Sequence, residues 1–292
     1  MTLSYIIKQN DLYKTINDVL IEEFKLSNRL RTKLINNRKV FLNNIVTDTR
    51  NKVKANDIIT IDLSDEEDNS NIVPTKMNLD IIYEDDWFIV INKPSGIAIH
   101  PSNLHYSDSL SNGIKFYFDK IGLKKKIRPV NRLDLNTSGV VIFAKCEYIQ
   151  EQFTLQMTNN IFKKEYLCLI NGILDNKSGK IDLPISRKQN SIIERCINEN
   201  GKQSITHYKV VQEFEDYSLI KCKLETGRTH QIRVHFSAIN HPLLGDTLYG
   251  KKSDLITRQA LHSYKISLLH PILKEEMIFT SDLPDDIKKL IK

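Results

Sequence analysis

Cysteine is scarce in this 292-residue chain and never clustered: Cys146, Cys168, Cys196 and Cys222 are scattered, with no C-x-x-C pair. That disfavours a disulfide framework and a thiolate metal site, and Cys168 and Cys222, in apolar strand-like surroundings, are expected to be buried free thiols. Long apolar runs are lacking too. No stretch approaches the roughly 18 residues that cross a bilayer, and the N-terminus has no apolar signal-peptide core, so a soluble, cytoplasmic protein with no membrane partner is expected. His230 and His235 lie five apart, outside the H-E-x-x-H spacing, and no metal site is expected.

Acidic residues are missing where basic ones gather. Lys25, Arg29, Arg31, Lys33, Arg38, Lys39, Arg50, Lys52 and Lys54 face the single acid Asp48 in their stretch. A second run, Lys120, Lys124, Lys125, Lys126, Arg128 and Arg132, contains no acid and leads straight into Asp134. Basic runs are most often solvated faces. Two of them, in a chain of net charge +6, favour a polyanionic partner.

Apolar spacing at Leu12, Ile16, Val19, Leu20 and Phe24 predicts a helix, and Ser27 can cap a second one with Leu30, Leu34 and Ile35 inward. Short strands follow at Val40–Leu42, Ile45–Val46 and Ile58–Ile61, closing a small unit over residues 1–63. Asp62, Asp65, Glu66, Glu67 and Asp68, then Asn69-Ser70-Asn71 and Pro74, read as an acidic flexible linker over 64–77. From 78 to 292, strand-like runs (79–83, 88–92, 140–145, 166–171, 207–214, 218–224, 232–234 and 266–269) outnumber helical ones (110–119, 148–158 and 233–240). The turns between several strands are too short for parallel crossovers, so an α+β domain with a mainly antiparallel central sheet and flanking helices is expected.

Three ordered segments carry the chemistry: Arg132-Leu133-Asp134-Leu135-Asn136-Thr137-Ser138-Gly139; Lys164-Glu165-Tyr166-Leu167; and Gly227-Arg228-Thr229-His230-Gln231-Ile232-Arg233-Val234-His235 with His241-Pro242-Leu243-Leu244-Gly245-Asp246 and Tyr249-Gly250. In isolation the first is equally well an Asx turn entering a strand. Together they resemble the RluA-type RNA pseudouridine synthase family, from Tyr83-Glu84-Asp85-Asp86 through Asn92-Lys93-Pro94-Ser95-Gly96 and His100-Pro101 to His270-Pro271. The first seventy or so residues lie outside that likeness. Their helix, basic helix and small sheet resemble the RNA-binding domain named after ribosomal protein S-four, with Asn56 where that family usually has Gly.

The resemblance implies a pseudouridine synthase fold and three catalytic residues: Asp134 as the carboxylate at the sugar, Tyr166 as the ring stacked on the base, and Arg228 as the cation holding Asp134 ionised. Arg132 would hold the displaced nucleotide. Lys124, Lys125, Lys126, Arg128, Arg29, Arg31, Lys33, Arg38 and Lys39 are the expected RNA contacts. Isomerisation needs no cofactor. The implied partner is RNA, ribosomal before transfer RNA, bound by a monomer. Asn131 departs from the family's usual His, which raises doubt about substrate positioning. Two other classes stay open: a non-catalytic RNA-binding or assembly factor, and a glycosidase, for which the carboxylate pair is missing.

Overall fold

The spacing of apolar residues and two capping side chains shape the N-terminal sixty residues. The computed structural model describes residues 1–292. An edge strand β1 (Thr2–Ile6) precedes α1 (Ile16–Glu22) and α2 (Asn28–Asn36). Thr15 caps α1 reciprocally, its N–H donating to Asp18 Oδ2 at 2.9 Å and its hydroxyl accepting from the Asp18 N–H at 3.3 Å. The cap starts the helix after Leu12, which is left exposed rather than on the inner face. Ser27 caps α2 as expected, accepting from the Leu30 N–H at 3.1 Å, with Leu30 and Leu34 buried and Ile35 exposed. Then β2 (Val40–Leu42) and β3 (Ile45–Val46) form a hairpin with Asn43 and Asn44 both at positive φ, a turn Asn tolerates. With β4 (Ile58–Asp62) the strands order β1-β4-β2-β3, all antiparallel.

The larger part opens with β5 (Ile81–Glu84), β6 (Phe88–Lys93) and α3 (Leu110–Lys120). It continues through β7 (Arg128–Pro129), β8 (Ser138–Ala144), α4 (Glu147–Thr158) and β9 (Lys163–Asn171). After β10 (Ser178–Asp182) come the paired β11 (Ile185–Arg187) and β12 (Arg195–Ile197), then β13 (Ile205–Glu213) and β14 (Tyr217–Leu224). The chain ends with α5 (Gln231–Ala238), β15 (Leu261–Leu269), β16 (Glu276–Thr280) and the single turn α6 (Asp285–Lys288). The main sheet orders β10-β13-β14-β9-β15-β8-β6-β5, with β16 added to β15 and β7 to β8. Every pair is antiparallel except β15 with β8, so the α+β reading holds.

Strand period 2 divides the core. Phe88, Val90, Val140 and Ile142 join one cluster while Ile89, Ile91, Val141 and Phe143 join the other, so the central strands are buried on both faces. Gly139 permits the parallel junction: a Cβ there would lie about 2.2 Å from the Ser263 carbonyl oxygen. Residues 232–234, expected as a strand, belong to α5. No helix is long and apolar enough to cross a membrane.

Residues 64–77 form no helix or strand, but they are tied down rather than flexible. Glu67 accepts two hydrogen bonds from the Arg128 guanidinium at 2.6 and 2.7 Å, its N–H donates to the Lys124 carbonyl, and the Asn69 amide donates to the Lys125 carbonyl. The two charge runs that looked separate in sequence are partners.

Candidate active site

Asp134 stands in the loop that joins β7 to β8, where the Thr137 N–H donates to the Asp134 carbonyl and closes a turn. Its carboxylate is held by Arg233, not Arg228. The Arg233 Nη1 donates to Asp134 Oδ2 at 3.0 Å, while its Nε and Nη2 grip the two oxygens of Asp246 at 2.7 and 2.9 Å. Asp246, almost fully buried, also accepts the N–H groups of Leu248 and Tyr249. The guanidinium is thus fixed on one side by a rigid carboxylate and offers its remaining edge to Asp134. Although burial disfavours the charged form, the two carboxylates hold the Arg233 pKa above its ordinary value.

Arg228 lies in the loop before α5 and is exposed. Its Nε donates to the Gln203 carbonyl at 3.2 Å, and it lines the mouth of the cleft instead of reaching the carboxylate. The resemblance implied Arg228 as the cation beside Asp134, whereas the first turn of α5 brings His230 and Arg233 to that carboxylate. His230 caps α5 at φ 59, in the left-handed region. Its Nε2 lies 3.8 Å from Asp134 Oδ1 and its Nδ1 lies 2.8 Å from the Tyr249 hydroxyl. Burial, reinforced by Arg233, outweighs the Asp134 charge and lowers its pKa, favouring the neutral ring.

Tyr166, on β9, is buried and lines the same cavity as Asp134. Burial and then the Asp134 charge push its phenol upward, so it is protonated at neutral pH. The cleft above them holds about 520 Å³, with Ile99, His100, Arg132, Lys164, Leu224 and His230 in its walls, a size suited to a nucleotide-scale ligand. Lys164 faces it without a carboxylate partner, and burial lowers its pKa. Arg132 is exposed at the rim with no carboxylate within ion-pair range, as a phosphate contact requires.

Asn131 serves the scaffold. Its Nδ2 donates to the Val140 carbonyl at 3.1 Å and its Oδ1 accepts from the Ile142 N–H at 2.9 Å, so the amide completes the β8 backbone beside the Asp134 loop. The motif's Gln231 is spent similarly, on Thr226, Arg228, Ile205 and Thr206. His235 is fully buried between the Leu183 carbonyl and the Thr206 hydroxyl. Cys168 and Cys222 are buried free thiols with sulfurs 3.7 Å apart.

Several of the expected RNA contacts are otherwise engaged. Lys125 is buried and donates to the Leu63 and Asp65 carbonyls at 2.7 and 2.6 Å, and Arg128 is buried against Glu67. Lys33 pairs with Glu147 and Glu67, and Lys39 with Asp62 and Asp65. Lys124 meets Glu66 in solvent, and Arg31 donates to Asn28. Arg29, Arg38 and Lys126 remain exposed, Arg29 at 3.5 Å from Glu147.

A family model described as RNA pseudouridylate synthase matches residues 87–238. The chain is 38% identical to the uncharacterized RNA pseudouridine synthase YjbO of Bacillus subtilis, over 82% of this chain and 85% of that protein. It is 36% identical to the ribosomal large subunit pseudouridine synthase D of Neisseria meningitidis, over 86% of this chain and 71% of that protein. Among solved structures it is similar to human RNA pseudouridylate synthase domain containing 1, with a TM-score of 0.57 and 26% identity, covering 73% of this chain and 93% of that one.

Proposed function

Because the chain belongs to the RNA pseudouridine synthase family, we propose that Asp134 is its catalytic carboxylate and that its substrate is a uridine of ribosomal RNA. The carrying observation is the fork of Arg233, fixed by buried Asp246 and aimed at the Asp134 carboxylate on the floor of the cleft. Breaking the bond from uracil N1 to ribose C1′ develops positive charge on the sugar, as glycoside cleavage does. An ionised, oriented carboxylate stabilises that charge or attacks the carbon. The base then turns, C5 bonds to C1′, and the proton leaves C5 while N1 gains one.

Tyr166 supplies a ring for the base to lie against and, protonated, an O–H to donate. Arg132 at the rim takes a phosphate of the extruded nucleotide, whose unstacking costs a few kcal/mol. The ribosomal assignment is supported by the likeness to large-subunit synthases. The N-terminal layer of α1, α2 and β1–β4 acts as an S-four-like RNA-binding module through the exposed Arg29 and Arg38, and the protein works as a cytoplasmic monomer.

The test maps pseudouridines in total RNA from cells with and without the gene, complemented by wild type or Asp134→Asn. A ribosomal uridine left unconverted in the deletion, restored by wild type and not by Asp134→Asn, is expected. Restoration by the variant would remove Asp134 from the chemistry, and a lost site in transfer RNA would move the substrate.

A further inference from the structure

With Lys125, Arg128, Lys33 and Lys39 engaged internally, the unneutralised positive charge of the molecule has to be sought elsewhere. It gathers in a second groove of about 460 Å³ beside the cleft, lined by Arg132, Arg187, Arg195, Lys202 and Arg228 with no acidic residue in its wall. None of these five cations lies within 4.0 Å of a carboxylate, whereas Lys33, Lys39, Arg128, Arg233 and Arg258 each do. Arg132, Gly227, Arg228 and Thr229 line both cavities, so the groove continues the cleft that holds Asp134.

Its far wall is the β11–β12 hairpin, and that wall is built rather than loose. Ile185 and Lys202 exchange backbone hydrogen bonds at 2.9 Å in both directions, and Gly201 allows their close approach, since a Cβ there would lie 2.6 Å from the Ile185 carbonyl carbon. The Arg195 N–H donates to the Tyr249 hydroxyl at 2.8 Å, and that hydroxyl also contacts His230 at 2.8 Å. One tyrosine therefore fixes the hairpin to the residue beside Asp134.

We propose that this groove binds the phosphates of the RNA strand flanking the target uridine, with Arg187, Arg195 and Lys202 of the hairpin as its principal contacts. The inference rests on the pseudouridine synthase reading of the neighbouring cleft. Arginine presents a planar fork that matches phosphate oxygens two at a time, and a groove of unpaired cations without acids selects a polyanion over a peptide of mixed charge. A nucleotide turned into the cleft leaves its neighbours' phosphates at the cleft mouth, where the groove begins.

The experiment compares wild type with Arg187→Gln/Lys202→Gln, two exposed side chains without structural partners, and with Lys251→Gln/Lys252→Gln, which removes equal charge from exposed residues that do not line the groove. Affinity for a fluorescent RNA stem-loop with uridines in its loop is read against salt, and turnover is read on an unmodified large-subunit RNA transcript. Each phosphate contact contributes about 0.7 to the log–log salt slope on single strands. The groove variant should lose about 1.4 from the slope and more than tenfold in affinity at ~0.1 M salt, with the loss in turnover appearing in KM rather than kcat. Equal loss in both variants, or an unchanged slope in the first, would overturn the proposal. A kcat loss at unchanged KM would also overturn it. If wild type shows the groove-dependent slope yet converts no uridine, the activity reading fails and the groove stands.

Discussion

Arg233 divides its donors between two carboxylates, and the division sets what each substitution does. Arg233→Lys keeps the charge but cannot hold Asp246 and Asp134 at once, so kcat should fall at least about 100-fold, as loss of a transition-state electrostatic contact does. RNA affinity should barely change. Asp246→Asn removes the charge that fixes the guanidinium and should lower kcat without altering affinity, whereas Arg228→Lys should register in KM, since Arg228 touches the groove and not the carboxylate. Single-turnover kinetics on the transcript separates these. An Arg228→Lys variant with the kcat defect and a normal Arg233→Lys would reverse the two roles. Asp134 and Tyr166, each in a segment whose order along the chain is distinctive, come together in one cavity. Arg233 lies in the third of the motif segments, but the partner of a cation depends on helical phase, which residue order does not display. Likewise Lys125 and Arg128 looked like surface charge since sequence displays charges without showing what they face.

Among the elements, the strap over residues 64–77 is the one that composition misdescribed. Like charges and a proline describe a free linker only when nothing of opposite sign waits for them, and here the basic run before Asp134 does. The Arg128–Glu67 fork is nearly out of solvent on both sides, with about a tenth of each side chain exposed. Burial alone would raise the Glu67 carboxyl, but Arg128 and then the neighbouring N–H and Lys33 outweigh it and hold the pKa below its ordinary value. A carboxyl depressed in the folded state binds its proton more tightly in the unfolded chain. Its stabilisation is therefore complete above the ordinary value of about 4.3 and drains away as pH falls through the folded value. Arg128→Ala should cost about 2 kcal/mol at neutral pH by removing both guanidinium bonds and leaving half-buried Glu67 with only Lys33, 3.6 Å away, as counter-charge, read from urea midpoints. Glu67→Gln should flatten the acid side of the stability profile. A Glu67→Gln profile as steep as wild type would assign the acid sensitivity to other carboxylates. The start of α2 at its Ser27 cap and the spans of α3 and α4, by contrast, were readable, because a cap and an apolar face are local features.

Across the whole molecule, the two parts expected to be joined by a tether share one core. Leu20, Phe24, Leu26, Leu30 and Leu34 of the N-terminal layer fall in the same buried cluster as Tyr148, Ile149 and Phe153 of α4 and the sheet residues Phe88 and Val90 behind them. Polar contacts seal that junction: the Ser27 hydroxyl donates to Glu151 at 2.5 Å, and Lys33 meets Glu147 at 3.0 Å. The element order was largely visible from periodicity, but which apolar face meets which is a non-local property, and a helix face carrying Tyr148, Ile149 and Phe153 reads the same whether it packs on a sheet alone or also beneath a second layer. The consequence is testable by truncation. If residues 1–71 were only an RNA-binding appendage, deleting them would weaken RNA affinity and leave the fold intact. With a shared core, deletion bares the outer face of α4 and removes the Leu63 and Asp65 carbonyls from Lys125 and Glu67 from Arg128, so the remainder should melt well below the full chain and bind a dye specific for exposed apolar surface. The basic role of the layer is then better tested in the intact chain. Arg29→Gln/Arg38→Gln touches only exposed side chains. It should preserve the melting temperature while lowering the salt slope of RNA binding by about one unit or more. A truncated protein that melts like the full chain would make the layer a separate body. A double variant with an unchanged slope would leave RNA binding to the groove and cleft alone.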